Sequence, residues 1–212
     1  MIDFSYRLEA GPNAKQLLVL LHGYGSTHHN IASIVPEVDP EGDFVTVSPL
    51  APISVPGGGA SWYDFDDTWT ADPGSFHRTL EALASFVDTV CWRFGLEASD
   101  SVVGGFSQGA GMAAWLAFDS PLKTPAGLWC FGTVVDVDDR SLDLERARDR
   151  QVLMLAGRDD PNVPLERSRA QARRFDMAGA HTTFSEHDGG HGFSRPMLDD
   201  MRTWLALIDR PT

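Results

Sequence analysis

The segment Gly105-Phe106-Ser107-Gln108-Gly109 follows the apolar run Ser101-Val102-Val103-Gly104 and precedes a helix-forming stretch from Ala110 to Ala117. G-x-S-x-G at a strand-to-helix junction describes a nucleophile elbow, a sharp turn that strains the serine backbone and leaves no room for larger flanking side chains. The pattern alone is weak in a chain with 20 glycines; the strand before it and the helix after it strengthen it. A hydroxyl is a poor nucleophile until a base takes its proton and a third group orients that base. Ser107 therefore requires a histidine and a carboxylate, expected downstream in the order acid, then histidine.

The carboxylate is expected in Gly157-Arg158-Asp159-Asp160-Pro161-Asn162-Val163-Pro164, a turn that follows the apolar run Val152 to Ala156. By position either Asp159 or Asp160 could serve. The base is expected in Glu186-His187-Asp188-Gly189-Gly190-His191-Gly192-Phe193. Glycines on both sides of His191 free the loop to present an imidazole, while His187 sits closer to the strand end and is the competitor. Stabilising a tetrahedral oxyanion takes two backbone N–H groups, one from the residue after the nucleophile and one from a loop after an early strand. Gln108 supplies the first. The run Leu17 to Leu21, ending in His22-Gly23-Tyr24-Gly25, supplies the second through the Tyr24 amide.

These residues need a frame that brings loops together. Short apolar runs alternate with longer amphipathic ones, as strands and crossover helices do in a mostly parallel sheet. The expected strands are Leu17 to Leu21, Phe44 to Val47, Ser101 to Phe106, Leu128 to Phe131, Val152 to Ala156 and Thr182 to Ser185. The expected helices are Ser75 to Phe94, Gly109 to Phe118, Leu165 to Met177 and Arg195 to Ile208, with a weaker one from Asn30 to Val35. Such sheets place ligands beyond the carboxyl ends of their strands, where all the residues named above fall. From Pro49 to Gly74 the chain is rich in proline and carries Gly57-Gly58-Gly59. This loop is too long for an ordinary connection, and its aromatics Trp62, Tyr63, Phe65 and Trp69 argue for burial.

With 212 residues, 42% of them hydrophobic, the chain suits one α/β domain over residues 1–212. A net charge of -13 disfavours nucleic acid and anionic membrane surfaces as partners. The N-terminal residues lack an export signal and no apolar run is long enough to span a bilayer, so a cytoplasmic protein without stable membrane insertion is expected. Cys91 and Cys130 read as reduced, partly buried thiols. His28-His29 lacks the carboxylate-histidine spacing of a metal site, and no cofactor or metal is expected.

Together, Leu20-Leu21-His22-Gly23-Tyr24-Gly25, Gly104 to Gly109, Gly157 to Pro164 and Gly190-His191-Gly192 resemble the phospholipase/carboxylesterase family of α/β-hydrolases, which includes the acyl-protein thioesterases. Order and spacing agree from about residue 15 to 209. The resemblance implies an α/β-hydrolase fold without a large cap domain. It puts the acid on Asp160, three residues after the glycine and three before Val163-Pro164, and the base on His191. Ser61-Trp62-Tyr63-Asp64 is similar to the family's Trp-Phe-Asp block, which implies that Trp62 and Tyr63 line the acyl pocket. Phe65, Trp69 and Val163 are the further candidates for substrate binding. Ala156 and Ser26 depart from the His and Asp common at those family positions; neither is catalytic, so they bear on substrate choice.

The expected reaction is hydrolysis of a small-molecule carboxylic ester through an acyl-enzyme on Ser107, with lysophospholipase or thioesterase activity within the same class. A dienelactone hydrolase-like enzyme is the alternative, although its elbow usually carries cysteine. A non-catalytic binding module on the same scaffold is the other. The sequence leaves acyl length and oligomeric state open, a dimer included.

Overall fold

The computed structural model describes residues 2–12, 14–67, 70–133 and 142–208. Its strands are β1 (Tyr6–Ala10), β2 (Gln16–Leu21), β3 (Phe44–Pro49), β4 (Ile53–Ser54), β5 (Ala60–Ser61), β6 (Val102–Phe106), β7 (Gly127–Phe131), β8 (Gln151–Gly157) and β9 (His181–His187). Its helices are α1 (His28–Ala32), α2 (Val35–Val38), α3 (Pro73–Phe94), α4 (Gln108–Phe118), α5 (Leu165–Met177) and α6 (Arg195–Leu205). Seven strands form one sheet in the order β1-β3-β2-β6-β7-β8-β9. All neighbours pair in parallel except β1, which lies antiparallel to β3 at the edge. The result is a single-domain α/β fold.

The central strands are apolar without interruption because helices cover both faces of the sheet. In β2, Leu17, Val19 and Leu21 face one core while Leu18 and Leu20 face the other. In β8, Val152 and Met154 divide from Leu153 and Leu155 in the same way. Helix α4 is buried along its whole length, as an all-round apolar helix must be. The longest helix, α3, starts at Asp72, whose side chain accepts the Ser75 N–H at 2.7 Å, and stops at Gly95, which takes a left-handed φ of 66°.

Each expected strand and helix is present, with three differences. Strand β1 escapes a reading by apolar runs because Tyr6-Arg7-Leu8-Glu9-Ala10 alternates polar and apolar residues and is largely exposed at the edge. The expected helix from Asn30 to Val35 is two short ones, α1 capped by the Thr27 hydroxyl and α2 restarting with Pro36 in its first turn, where a missing N–H does no harm. The last helix ends at Leu205, short of Ile208. Within the loop from Pro49 to Gly74, β4 and β5, of two residues each, pair antiparallel across a turn that contains Gly57, Gly58 and Gly59, all at positive φ.

Candidate active site

Ser107 stands between β6 and α4 with φ 54° and ψ -120°, a region that non-glycine residues avoid. Asp149 is the other non-glycine at positive φ among the described residues. The turn around it is crowded. A Cβ on Gly105 would lie 2.5 Å from the Gly109 carbonyl carbon, and one on Gly109 would lie 2.3 Å from the Leu21 carbonyl oxygen. Both flanking glycines are thus required by the approach of the turn to the end of β2. The Ser107 N–H donates to the Phe131 carbonyl at 2.8 Å, which ties the turn to β7.

The turn after β8 buries Asp160 and leaves Asp159 exposed. Asp160 Oδ1 accepts the N–H groups of Asn162 at 2.8 Å and Val163 at 3.0 Å, and Oδ2 lies 2.7 Å from His191 Nδ1. Burial pushes the Asp160 carboxyl up. The His191 hydrogen bond and the two amides outweigh it and hold the group below the usual carboxylate range. The loops that carry Asp160 and His191 meet backbone to backbone: Asp159 N–H donates to the Gly189 carbonyl at 2.9 Å, and a Cβ on Gly157 would come within 2.4 Å of the Gly190 oxygen. His187 turns away, its Nε2 3.0 Å from Asp200 on α6.

His191 is held on its other sides by rings and by Gly132. The Phe106 ring centroid is 4.7 Å from the imidazole, and a Cβ on Gly132 would lie 2.8 Å from its Cε1. With Nδ1–H donated to a carboxylate, Nε2 is left with its lone pair and can accept a proton. No hydrogen bond joins the Ser107 hydroxyl to His191 in this geometry; such contacts are often long before substrate binds.

Gln108 opens α4, so its N–H belongs to the first turn, where the helix itself offers no acceptor. Tyr24 lies in the turn after β2, beside Gly25 and Ser26, whose N–H groups donate to the Ala60 and Gly23 carbonyls at 3.0 and 3.1 Å. A residue of this turn that motif reading passes over is His22. Its Nε2 accepts the Ala51 N–H at 3.0 Å, which forces the proton onto Nδ1, 2.8 Å from the Gly23 oxygen. Burial lowers its pKa to about 4, so the ring is neutral and acts as a spacer between the β2 turn and the chain after β3.

The pocket candidates separate. Trp62 is 0% exposed: its indole N–H donates to the His22 carbonyl at 2.7 Å and its ring lies 5.1 Å from that of His22. It thus exposes no surface through which to line an acyl pocket in this structure, because an indole N–H withdrawn from water needs an acceptor and finds it inside the core. Tyr63 and Phe65 are half-buried, 5.1 Å apart by ring centroids. With Tyr24 they line a cavity of about 390 Å³ that Asp64, Asp66 and Asp67 also border. Val163 is half-buried and reaches the site through its amide on Asp160. Trp69 lies outside the described residues. Gly132 joins the site without any signal of its own, and Ser61 and Phe106, though inside the quoted motifs, take contacts there that only the fold reveals.

Residues 8–208 match the phospholipase/carboxylesterase family. The chain belongs to that family. Among solved structures it is similar to esterase PE8, with 25% identity, a TM-score of 0.84 and coverage of 98% of this chain and 100% of the other. It is also similar to the Bacillus cereus carboxylesterase, with 20% identity, a TM-score of 0.83 and coverage of 96% and 93%. The Mesorhizobium loti carboxylesterase gives 23%, 0.83, 96% and 95%. The last two similarities concern the fold. The chain is accordingly an α/β-hydrolase of the esterase type, and no helix among the described residues is long and apolar enough to cross a membrane.

Proposed function

We propose that this α/β-hydrolase is a serine esterase that cleaves carboxylic esters through an acyl-enzyme. The reading rests chiefly on the pair formed by buried Asp160 and half-buried His191 at 2.7 Å, beside an elbow serine in strained geometry. Ser107 Oγ attacks the ester carbonyl while His191 Nε2 takes its proton. The oxyanion that forms is met by the N–H groups of Gln108 and Tyr24. Collapse of the tetrahedral species expels the alcohol, which takes the proton from His191, and leaves the acyl group on Ser107. A water molecule, deprotonated by His191, then releases the acid and restores the serine. Asp160, held ionised, stabilises the imidazolium formed in each step.

A net charge of -13 disfavours the approach of strongly anionic substrates, so uncharged esters fit best. The two buried free thiols accord with a reducing, cytoplasmic location.

The test is labelling by a fluorophosphonate probe together with turnover of nitrophenyl esters from acetate to palmitate. Ser107→Ala should abolish both without unfolding the protein. Turnover near that of the parent in the variant would exclude Ser107 as the nucleophile, and failure of the parent to label or turn over would favour a binding module.

A further inference from the structure

Two N–H groups act as a pair on one developing negative charge only when their separation is fixed, because fixed dipoles cost no reorganisation at the transition state. Here the two sit on different segments, Tyr24 in the turn after β2 and Gln108 in the first turn of α4. The segment Ala60-Ser61-Trp62 is bonded to both. Toward β2, the Trp62 indole donates to the His22 carbonyl at 2.7 Å, Gly25 N–H donates to the Ala60 carbonyl at 3.0 Å, and Ala60 N–H donates to the Ser26 carbonyl at 2.9 Å. A Cβ on Gly59 would lie 2.1 Å from the Gly25 oxygen, so the two turns are in backbone contact.

Toward α4, the Trp62 N–H donates to Gln108 Oε1 at 3.1 Å and Gln108 Nε2 donates to Ser61 Oγ at 2.8 Å. The direction of each bond is forced. A backbone N–H can only donate, which fixes Oε1 toward Trp62, and Ser61 spends its proton on the Tyr63 carbonyl at 2.5 Å, which leaves its oxygen to accept. Trp62 is 0%, Ser61 2% and Gln108 7% exposed, so water cannot replace a lost partner and each broken bond leaves a buried orphan.

We propose that Trp62, together with the side chains of Gln108 and Ser61, is a positioning element that sets the separation of the Tyr24 and Gln108 amides. The proposal rests on the serine-esterase reading and adds what holds its oxyanion hole in register. Trp62 bridges the two halves, from its indole to the first and from its main chain to the second. The same aromatic that motif similarity would place against the acyl chain thus acts on the carbonyl oxygen instead, through one bond to the His22 backbone and one to the Gln108 side chain.

Three variants test it. Trp62→Phe keeps most of the ring volume and removes the indole N–H. Gln108→Met keeps the length of the side chain and the main-chain amide. Ser61→Ala removes one acceptor. For each, kcat and KM on nitrophenyl butyrate, the inhibition constant of a trifluoromethyl ketone and the melting temperature are measured. A trifluoromethyl ketone adds the serine and carries a full oxyanion, so it reports the hole directly. Displacing such donors should lower kcat roughly ten- to a hundred-fold, with KM nearly constant and the inhibition constant raised by about the same factor. A lowered melting temperature with kcat and the inhibition constant unchanged would overturn the proposal, as would altered chain-length preference at constant inhibitor affinity. If Trp62→Phe does not fold, Gln108→Met and Ser61→Ala decide the matter by the same criteria. Probe labelling and turnover that survive Ser107→Ala would instead overturn the serine reading itself, and the positioning role with it.

Discussion

Asp160 Oδ2 lies 2.7 Å from His191 Nδ1, and only 2% of the Asp160 side chain is exposed. Its neighbour Asp159 is exposed and directs its N–H, not its carboxylate, to the base loop. The proposed mechanism therefore separates two adjacent aspartates sharply. Asp160→Asn should lower kcat by roughly 10³- to 10⁴-fold, because an amide cannot hold the imidazole in the required tautomer or support its positive charge. Asp159→Asn should stay within about threefold of the parent. Steady-state kinetics on one ester suffice, and the reverse order of damage would move the acid to Asp159.

The elbow should be as intolerant of added volume as of lost chemistry. A Cβ on Gly109 would sit 2.3 Å from the Leu21 oxygen and 2.4 Å from the His22 oxygen, both main-chain atoms that cannot swing aside. Gly109→Ala should destabilise the fold by about 1–3 kcal/mol, the usual cost of overpacking, and should lower turnover because the clash pushes the elbow away from β2. Urea unfolding and nitrophenyl ester turnover read the two effects; a variant as stable and as active as the parent would show that the turn has slack.

Acid should weaken the fold through His22. Its folded pKa of about 4 lies below the ordinary 6.5, so between these values the unfolded chain binds a proton that the folded one refuses. Stability is thus full above pH 6.5, falls as pH drops toward 4, and loses nothing more from this group below that. The total is on the order of 3 kcal/mol. His28, whose pKa burial also lowers, adds in the same direction. Denaturant melts from pH 7 to 4.5 should show a shallower decline for His22→Gln than for the parent, and equal slopes would remove His22 as the cause.

How far the sequence disclosed all this depends on what each residue does. The buried parallel strands could be read because burial on both faces demands unbroken apolar runs, and β2, β6, β7 and β8 have them. Edge strand β1 has no such demand on it and leaves no such signal. The placement of Ser107, Asp160 and His191 in turns at strand ends is legible because the glycines those turns require mark the sequence, and their catalytic roles are the proposal built on it. Trp62 is not, because an aromatic in a long loop looks the same whether it faces a ligand or a carbonyl two turns away. Only the hydrogen bond from its indole to His22 separates the two. Phe106 is legible as the x of an elbow motif, but its tilted ring contact with His191 depends on a loop 85 residues further along the chain.

The same loop should set acyl-chain preference, through Phe65 and not through Trp62. Trp62 offers no surface to a substrate, so truncating it should act on the fold: Trp62→Ala removes a fully buried ring and should cost about 3–5 kcal/mol of stability. Phe65 and Tyr63 line the cavity of about 390 Å³ together with Tyr24, whose amide is a proposed oxyanion donor, and on that proposal the cavity is where the acyl chain would lie. Burying a large apolar side chain fully contributes about 1.5–3 kcal/mol, and half-burial against an acyl chain contributes part of that. Phe65→Ala should therefore shift the ratio of octanoate to butyrate turnover by roughly three- to tenfold while the melting temperature falls little. In Trp62→Ala the ratio per folded molecule should remain that of the parent while the melting temperature drops. The two variants thus exchange their effects, and the pair of measurements decides which aromatic faces the substrate. A ratio that moves with Trp62→Ala and not with Phe65→Ala would return the acyl wall to Trp62 and place the cavity beside Phe65 outside the substrate path.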